Sequence, residues 1–292
     1  MGAGWAGCAA AVEATRLGHR VTLFEAARIP GGRARRVPAA GSLPSLDNGQ
    51  HILIGAYTDT LQLMADVGVE PKATLLRLPL TLQGPDRRGL KLPRCPAPLD
   101  AVLGIALASG WSWADKLSML KTAVRWQLAG FACLPQQTVA DLCSALPPQV
   151  MTQLIEPLCV SALNTPASRA SGQVFLRVLQ DSMFASRGGS NLLLPTVDLS
   201  ALLPDAALTW LTQRGGTVEL GTRVQRIEAR DSGWQVTTDH GFDFDQVILA
   251  CPPTEAMRLV TGSGVRADNW VASTQALRFE AITTVYAQAS GA

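Results

Sequence analysis

Small residues dominate from Cys8 to Leu17, and Gly18 closes the run, which predicts one helix. The following His19 to Glu25 is β-rich and ends in an acid, which predicts a short strand. Between Pro71 and Pro148, Leu, Ala and Trp predominate, with Trp111, Trp113 and Trp126 near the turn between two helical runs. Ser112 can cap that second run, and Leu117, Leu120, Val124 and Leu128 fall on one face at spacings of three and four. Further on, Leu199 to Gln213 reads as a helix, Thr217 to Leu220 and Thr222 to Ile227 as strand. Gly233 to Thr238 and Phe242 to Ala250 read as a hairpin feeding a buried strand, Asp245 to Ala250, closed by Cys251-Pro252-Pro253. The last residues, Ile282 to Ala292, read as strand. Such mixing of helices and strands predicts an α/β chain.

Chemistry enters at the first residues. Gly2-Ala3-Gly4-Trp5-Ala6-Gly7 fits G-x-G-x-x-G, opens the first helix, and stands eighteen positions before Glu25, the layout of a dinucleotide-binding βαβ unit. Gly2 permits a tight turn, Gly4 lets the backbone approach a pyrophosphate, Gly7 lets helix and strand pack closely, and the helix-start amides, with Ala3 and Ala6 between the glycines, point at phosphate. Glu25 can accept from ribose hydroxyls and would repel a 2′-phosphate, which favours FAD or NAD over NADP. A plain glycine turn is the bland alternative. The motif ordinarily follows a buried parallel strand, yet only Met1 precedes Gly2. Each lost apolar residue forfeits about 1.5–3 kcal/mol of burial, against a domain's whole stability of about 5–15 kcal/mol. The expectation is therefore a chain lacking its first strand.

Composition narrows the classes. At 292 residues, two domains are expected; 47% of residues are hydrophobic and 16% charged, which fits an oily interior or ligand. The formal charge of +2, with no basic run, argues against nucleic acid. Six cysteines without a C-x-x-C pair read as reduced thiols in a cytoplasmic protein. Three scattered histidines, His19, His51 and His240, predict no metal. No leader is visible, and the apolar stretch Leu99 to Ala108 is shorter than the ~20 residues a membrane span requires.

A second motif follows the acid: Ala26-Ala27-Arg28-Ile29-Pro30-Gly31-Gly32-Arg33, then Asp47-Asn48-Gly49-Gln50-His51-Ile52-Leu53-Ile54-Gly55-Ala56-Tyr57. An acid-ended strand followed by G-G-R resembles the FAD signature of the amine-oxidase and phytoene-desaturase flavoproteins. The wording from Asp47 to Tyr57, with Glu156-Pro157-Leu158, Ala162 to Pro166 and Ala170-Ser171, is similar to the squalene-associated branch, the hydroxysqualene dehydroxylases. With Gly188 to Pro195 and the segments after it, the resemblance covers nearly the whole chain.

The resemblance implies a Rossmann-type FAD-binding domain of residues 1–70 and 186–256, lacking its first strand and closing motif. It further implies a mixed α+β substrate domain of residues 71–185 and 257–292, amine-oxidase-like, with a helical cap. FAD would be held by Gly2, Ala3, Gly4, Ala6, Gly7, Glu25, Ala26, Gly31, Gly32, Arg33, Gly49, Gln50 and His51, with adenine on the backbone of Val224. Arg33 would face the pyrophosphate. The implied reaction is reductive dehydroxylation of hydroxysqualene to squalene, on the way to hopanoids, with His51 and Gln50 as candidates for assisting the leaving oxygen; a packing role for His51 is the alternative. The electron donor that reduces FAD is not legible in the sequence. For the apolar middle, a cap packed on the sheet competes with a lipid-facing surface that would place the protein peripherally on the inner face of the membrane, tryptophans at headgroup level and Lys116, Lys121 and Arg125 towards water. Three other functions stand beside this one. A carotenoid desaturase would run oxidatively, an amine oxidase would need an aromatic cage beyond Tyr57 and Tyr286, and a nucleotide-binding fragment would catalyse nothing.

Overall fold

The computed structural model of the protein describes residues 1–38, 46–185 and 187–287. The chain divides into two compact units, one of Met1–His51, Asp59–Leu75 and Pro195–Ala292, the other of Ile52–Thr58 and Leu76–Leu194.

In the first unit, the opening helix is Trp5–Arg16, and Gly18, at φ +87°, turns the chain out of it. The strand Thr22–Glu25 then pairs parallel with Thr217–Leu220, Glu25 opposite Leu220. Ala3, Ala11, Leu23 and Leu211 form a small buried core beneath them. Arg226–Ala229, Trp234–Thr237 and Gly241–Phe244 make an antiparallel sheet. Its side chains Ile227 and Val236 join Phe24, Val224 and Leu259 in a second core.

Three local expectations fail here. The helix foreseen over Leu199 to Gln213 is two, Leu199–Leu202 and Pro204–Gln213. The ring of Pro204 disfavours helical geometry at the residue before it, and Leu203 sits at φ −149°, ψ −55°. The buried strand foreseen at Asp245 to Ala250 has no ladder, and Ile248 is 54% exposed. Main-chain bonds reach this segment from Met1, whose ammonium donates to the Ile248 carbonyl at 2.7 Å and whose carbonyl accepts from Ala250 N at 2.9 Å. The terminal strand is likewise absent over residues 282–287, while residues 288–292 lie outside the described ones.

The second unit is mainly helical. Its core gathers Trp111, Met119, Trp126, Val139, Ile155, Phe175 and Leu176 among others. Ser112 caps Trp113–Leu128 as expected, in a reciprocal capping box with Asp115. Of the expected stripe only Leu120 packs against the core; Met119, Thr122 and Trp126 are buried, whereas Leu117, Val124 and Leu128 look outward. Trp111, read as a headgroup-level residue, is buried with Nε1 donating to Gln153 Oε1 at 2.8 Å. The segment from Glu156 to Ala170 is a structural clasp. Glu156 accepts from Ala167 N at 3.2 Å, and Asn164 ends Glu156–Leu163 in the left-handed conformation that asparagine tolerates.

Packing assigns different weights to these side chains. Phe175→Ala, at a fully buried site, is expected to cost about 3–5 kcal/mol. Leu128→Ala, at an 84% exposed site, should stay within about 0.5 kcal/mol of wild type. Urea midpoints at unchanged slope measure both; equal shifts would contradict the assigned burial.

Candidate dinucleotide site

The two glycine motifs meet in the first unit. Gly31 N donates to Ala3 O at 2.7 Å, and a Cβ on Gly32, at φ +61°, would lie 3.2 Å from the Gly4 Cα. Gly2 and Gly7 are fixed by sterics. A Cβ on Gly2 would stand 2.7 Å from the Ala250 carbonyl oxygen, and one on Gly7 would stand 1.7 Å from the Gly2 oxygen. Gly4 differs: a Cβ there meets nothing nearer than the Gly32 Cα at 3.9 Å, so packing within the protein does not demand glycine. Room is left above the loop, and glycine keeps it free. Gly4 is also the N-cap of Trp5–Arg16, with no side-chain cap, so the amides of the first turn, including those of Ala6 and Gly7, have no partner within the helix. A concave backbone with unpaired amides and no Cβ suits a diphosphate.

Glu25 clamps this loop. Its Oε2 accepts from Ala3 N at 2.7 Å and its Oε1 from Ala27 N at 2.8 Å, bracketing Ala26. Each oxygen retains a lone pair for a ribose hydroxyl. The second motif continues the chain of contacts. Asn48 Nδ2 donates to the Arg33 carbonyl at 2.9 Å, and Asn48 N to the Arg35 carbonyl at 2.8 Å. Gly49, at φ +91°, turns the chain, and His51 Nδ1 lies 3.1 Å from the Gly49 carbonyl. A carbonyl can only accept, so Nδ1 carries the proton and Nε2 is the nitrogen free to exchange one. The Arg33 side chain and Gln50 are exposed. Val224 is buried, and its carbonyl accepts from Arg258 Nη2 at 3.1 Å.

Sequence reasoning missed the group that holds the second motif in place. Arg36 Nη1 lies 3.1 Å from Asp198 Oδ2 and Nη2 lies 2.6 Å from Asp205 Oδ2, while Asp47 Oδ1 accepts from Leu199 N at 2.9 Å. Asp198 also caps Leu199–Leu202 through Ala201 N, and an acid before that helix was the available signal. Cys8, in the first helix, is buried with its Sγ 3.7 Å from Ala3 O, and burial pushes the thiol up to about 12. Among the described residues, no group of three or more His, Cys, Asp or Glu could hold a metal ion.

Known proteins bear on this geometry. The model of the family described as flavin containing amine oxidoreductase matches residues 5–289. The chain belongs to that family. FAD is accordingly the dinucleotide, and the cradle of Gly4, Gly32 and unpaired helix amides fits it. Hydroxysqualene dehydroxylase of Rhodopseudomonas palustris is 27% identical over 276 residues, 90% of this chain and 63% of that protein. Those of Zymomonas mobilis and Sinorhizobium fredii are 26% and 25% identical, over 78% and 90% of this chain. The chain thus spans between 54% and 63% of the length of these relatives. Among solved structures, an oxidoreductase from Methanosarcina mazei superposes with TM-score 0.67 at 17% identity, covering 95% of this chain and 64% of that one. Cyclohexylamine oxidase from Brevibacterium oxydans gives 0.65 at 15%, covering 94% and 61%. At those identities the likeness shows the fold, an amine-oxidase-like α/β architecture, as the sequence predicts.

Glu25→Gln tests the clamp. The amide replaces one acceptor with a donor that faces a main-chain N–H, and a loss of about 1–3 kcal/mol of stability is expected. A urea midpoint equal to wild type would show that the carboxylate does not hold the loop.

Proposed function

We propose that the full-length protein is an FAD-dependent oxidoreductase acting on an isoprenoid lipid, by reductive dehydroxylation of hydroxysqualene to squalene on the route to hopanoids. The observation that carries this reading is the name shared by all three relatives cited, each aligned over most of this chain. The arrangement of Asn48, Gly49 and His51 beside the G-G-R loop supports it.

In this reading Gly4 and Gly32 clear room for the diphosphate, and the helix amides with Arg33 neutralise it. Glu25 would take a ribose hydroxyl, and the main chain at Gly49 and Val224 would hold the ends of the cofactor. FAD, once bound and reduced, would supply a hydride. The carbon–oxygen bond of the allylic alcohol would break and the oxygen would leave as water with one added proton, the vacated carbon taking the hydride. His51 would supply that proton from Nε2, its ring held by the Nδ1–H bond to Gly49, and Gln50, the residue before it, would hydrogen-bond the leaving oxygen. The two electrons come from the donor that reduces FAD.

The second unit supports an apolar substrate. Leu90, Leu92, Ile105, Met119, Trp126 and Leu154 are among the residues lining a cavity of about 50 Å³ with no polar wall. It is flanked by two π-helical turns, Met151–Ile155 and Gln180–Phe184, a form enriched at functional sites. A space of that size holds a few carbon atoms, so a long chain enters only if these helices part. Such a substrate resides in a membrane, and the protein would work on the inner face of one. No helix among the described residues is long and apolar enough to cross it.

Product analysis decides between directions. Reduced enzyme given hydroxysqualene should yield squalene, whereas oxidised enzyme converting phytoene to a more unsaturated product would establish a carotenoid desaturase instead. His51→Ala should slow squalene formation by about tenfold or more with FAD affinity retained. Full turnover in that variant would remove His51 as the acid.

A further inference from the structure

Two neighbouring helices of the second unit turn apolar side chains away from the core. On Leu99–Ala106, the buried residues are Asp100, Ala101, Gly104 and Ile105, and the outward ones are Leu99, Val102 and Leu103, continued by Leu107 at 70% exposure. On Trp113–Leu128, the buried residues are Met119, Thr122 and Trp126, while Trp113, Leu117, Val124 and Leu128 are exposed, Trp113 at 77%. At ~100° per residue these four cluster within roughly 60°, on the side of the helix opposite the buried residues. An amphipathic helix of a soluble protein places its apolar stripe inward. This one has two stripes, and the outward stripe has no partner among the described residues.

The two outer faces adjoin. Lys116 Nζ donates to the Ala106 carbonyl at 2.9 Å and lies 4.9 Å from the Trp113 ring centroid, which ties the start of the second helix to the end of the first. The charges are sorted as well. Lys116 borders the outward stripe on one side, Lys121 and Arg125 on the other, while the acids are turned elsewhere. Asp100 is buried beside Ser190, and Asp115 is engaged in the capping box with Ser112. Apolar residues flanked by cations, with a tryptophan at the helix start, match an anionic bilayer interface: tails take the apolar groups, phosphates the cations. At the centre of the face neither helix offers a polar group.

We propose that the outer faces of Leu99–Ala106 and Trp113–Leu128 form a docking surface for an anionic lipid bilayer, the helices lying in the plane of the interface. The inner faces of the same helices contribute Ala101, Ile105, Met119, Ala123 and Trp126 to the apolar cavity. Docking therefore brings the lipid phase to the outside of that cavity's wall. The inference draws on the isoprenoid reading only for the kind of cargo, because docking itself needs no turnover.

The test is co-sedimentation of the full-length FAD-loaded protein with phosphatidylcholine vesicles and with vesicles containing phosphatidylglycerol, at low and high salt. Wild type should pellet with the anionic vesicles and more weakly with the neutral ones. Trp113→Glu/Leu117→Glu should lower partitioning by about tenfold or more. Lys121→Gln/Arg125→Gln should abolish the preference for anionic lipid and most of the salt dependence. Urea midpoints and FAD affinity check that the variants remain folded. Unchanged partitioning of the Glu variant would overturn the proposal. So would vesicle-independent self-association that the Glu variant abolishes, which would assign the face to a second copy, or a large fall in its urea midpoint without vesicle binding by wild type, which would mean the face is covered within the protein. Loss of squalene formation with vesicle binding intact would strike the isoprenoid reading and leave the docking surface standing.

Discussion

Between Ala3 and Gly31 runs one main-chain hydrogen bond of 2.7 Å, and beside it the backbones at Gly4 and Gly32 approach so closely that a methyl group on Gly32 would touch the Gly4 α-carbon at 3.2 Å. Most of the candidate site depends on that contact. It brings a helix start and a turn more than twenty residues later onto one concave surface without side chains. Glu25 holds the contact from below by accepting the amides of Ala3 and Ala27, so the acid that ends the strand acts on the loop before it acts on any ligand. From Gly32 the constraint passes outward through the Arg33 carbonyl to Asn48, and by way of Gly49 to the ring of His51. Arg36, paired with Asp198 and Asp205, anchors the same stretch to the helices at Leu199–Leu202 and Pro204–Gln213.

Much of this was legible in the residues. Glycines at positions 2, 4 and 7 before a small-residue run, and an acid at 25, predict the first helix and strand because their spacing is that of a dinucleotide-binding βαβ unit. The G-G-R and D-N-G-Q-H motifs could be recognised, but not the hydrogen bonds that join them, because Asn48 and Arg33 meet only when Arg36–Val37 pairs with Leu46–Asp47. Arg36 was overlooked for the same cause: its two carboxylates lie more than 160 residues away in the chain. The split at Pro204 could have been foreseen, since proline restricts the residue before it.

Periodicity misled in the apolar middle. A regular apolar stripe over Leu117, Leu120, Val124 and Leu128 says that a helix has a face, and gives no sign of which side the face takes. Met119 and Trp126 form a competing stripe, and the core chose that one because Trp111, Ile155 and Phe175 pack there. The expected buried strand at Asp245 to Ala250 is an extended segment whose main chain bonds to Met1 at Ile248 and Ala250 and forms no ladder.

The central claim is that the side-chain-free backbone at Gly4 receives a diphosphate, and Gly4→Ala tests it directly. The added methyl group meets no protein atom nearer than 3.9 Å, so the fold should stay intact. FAD titration of the full-length apoprotein, followed by quenching of flavin fluorescence, should show affinity reduced by about tenfold or more at an unchanged urea midpoint. Wild-type affinity in the variant, or a wild-type protein that takes up no flavin, would contradict the account.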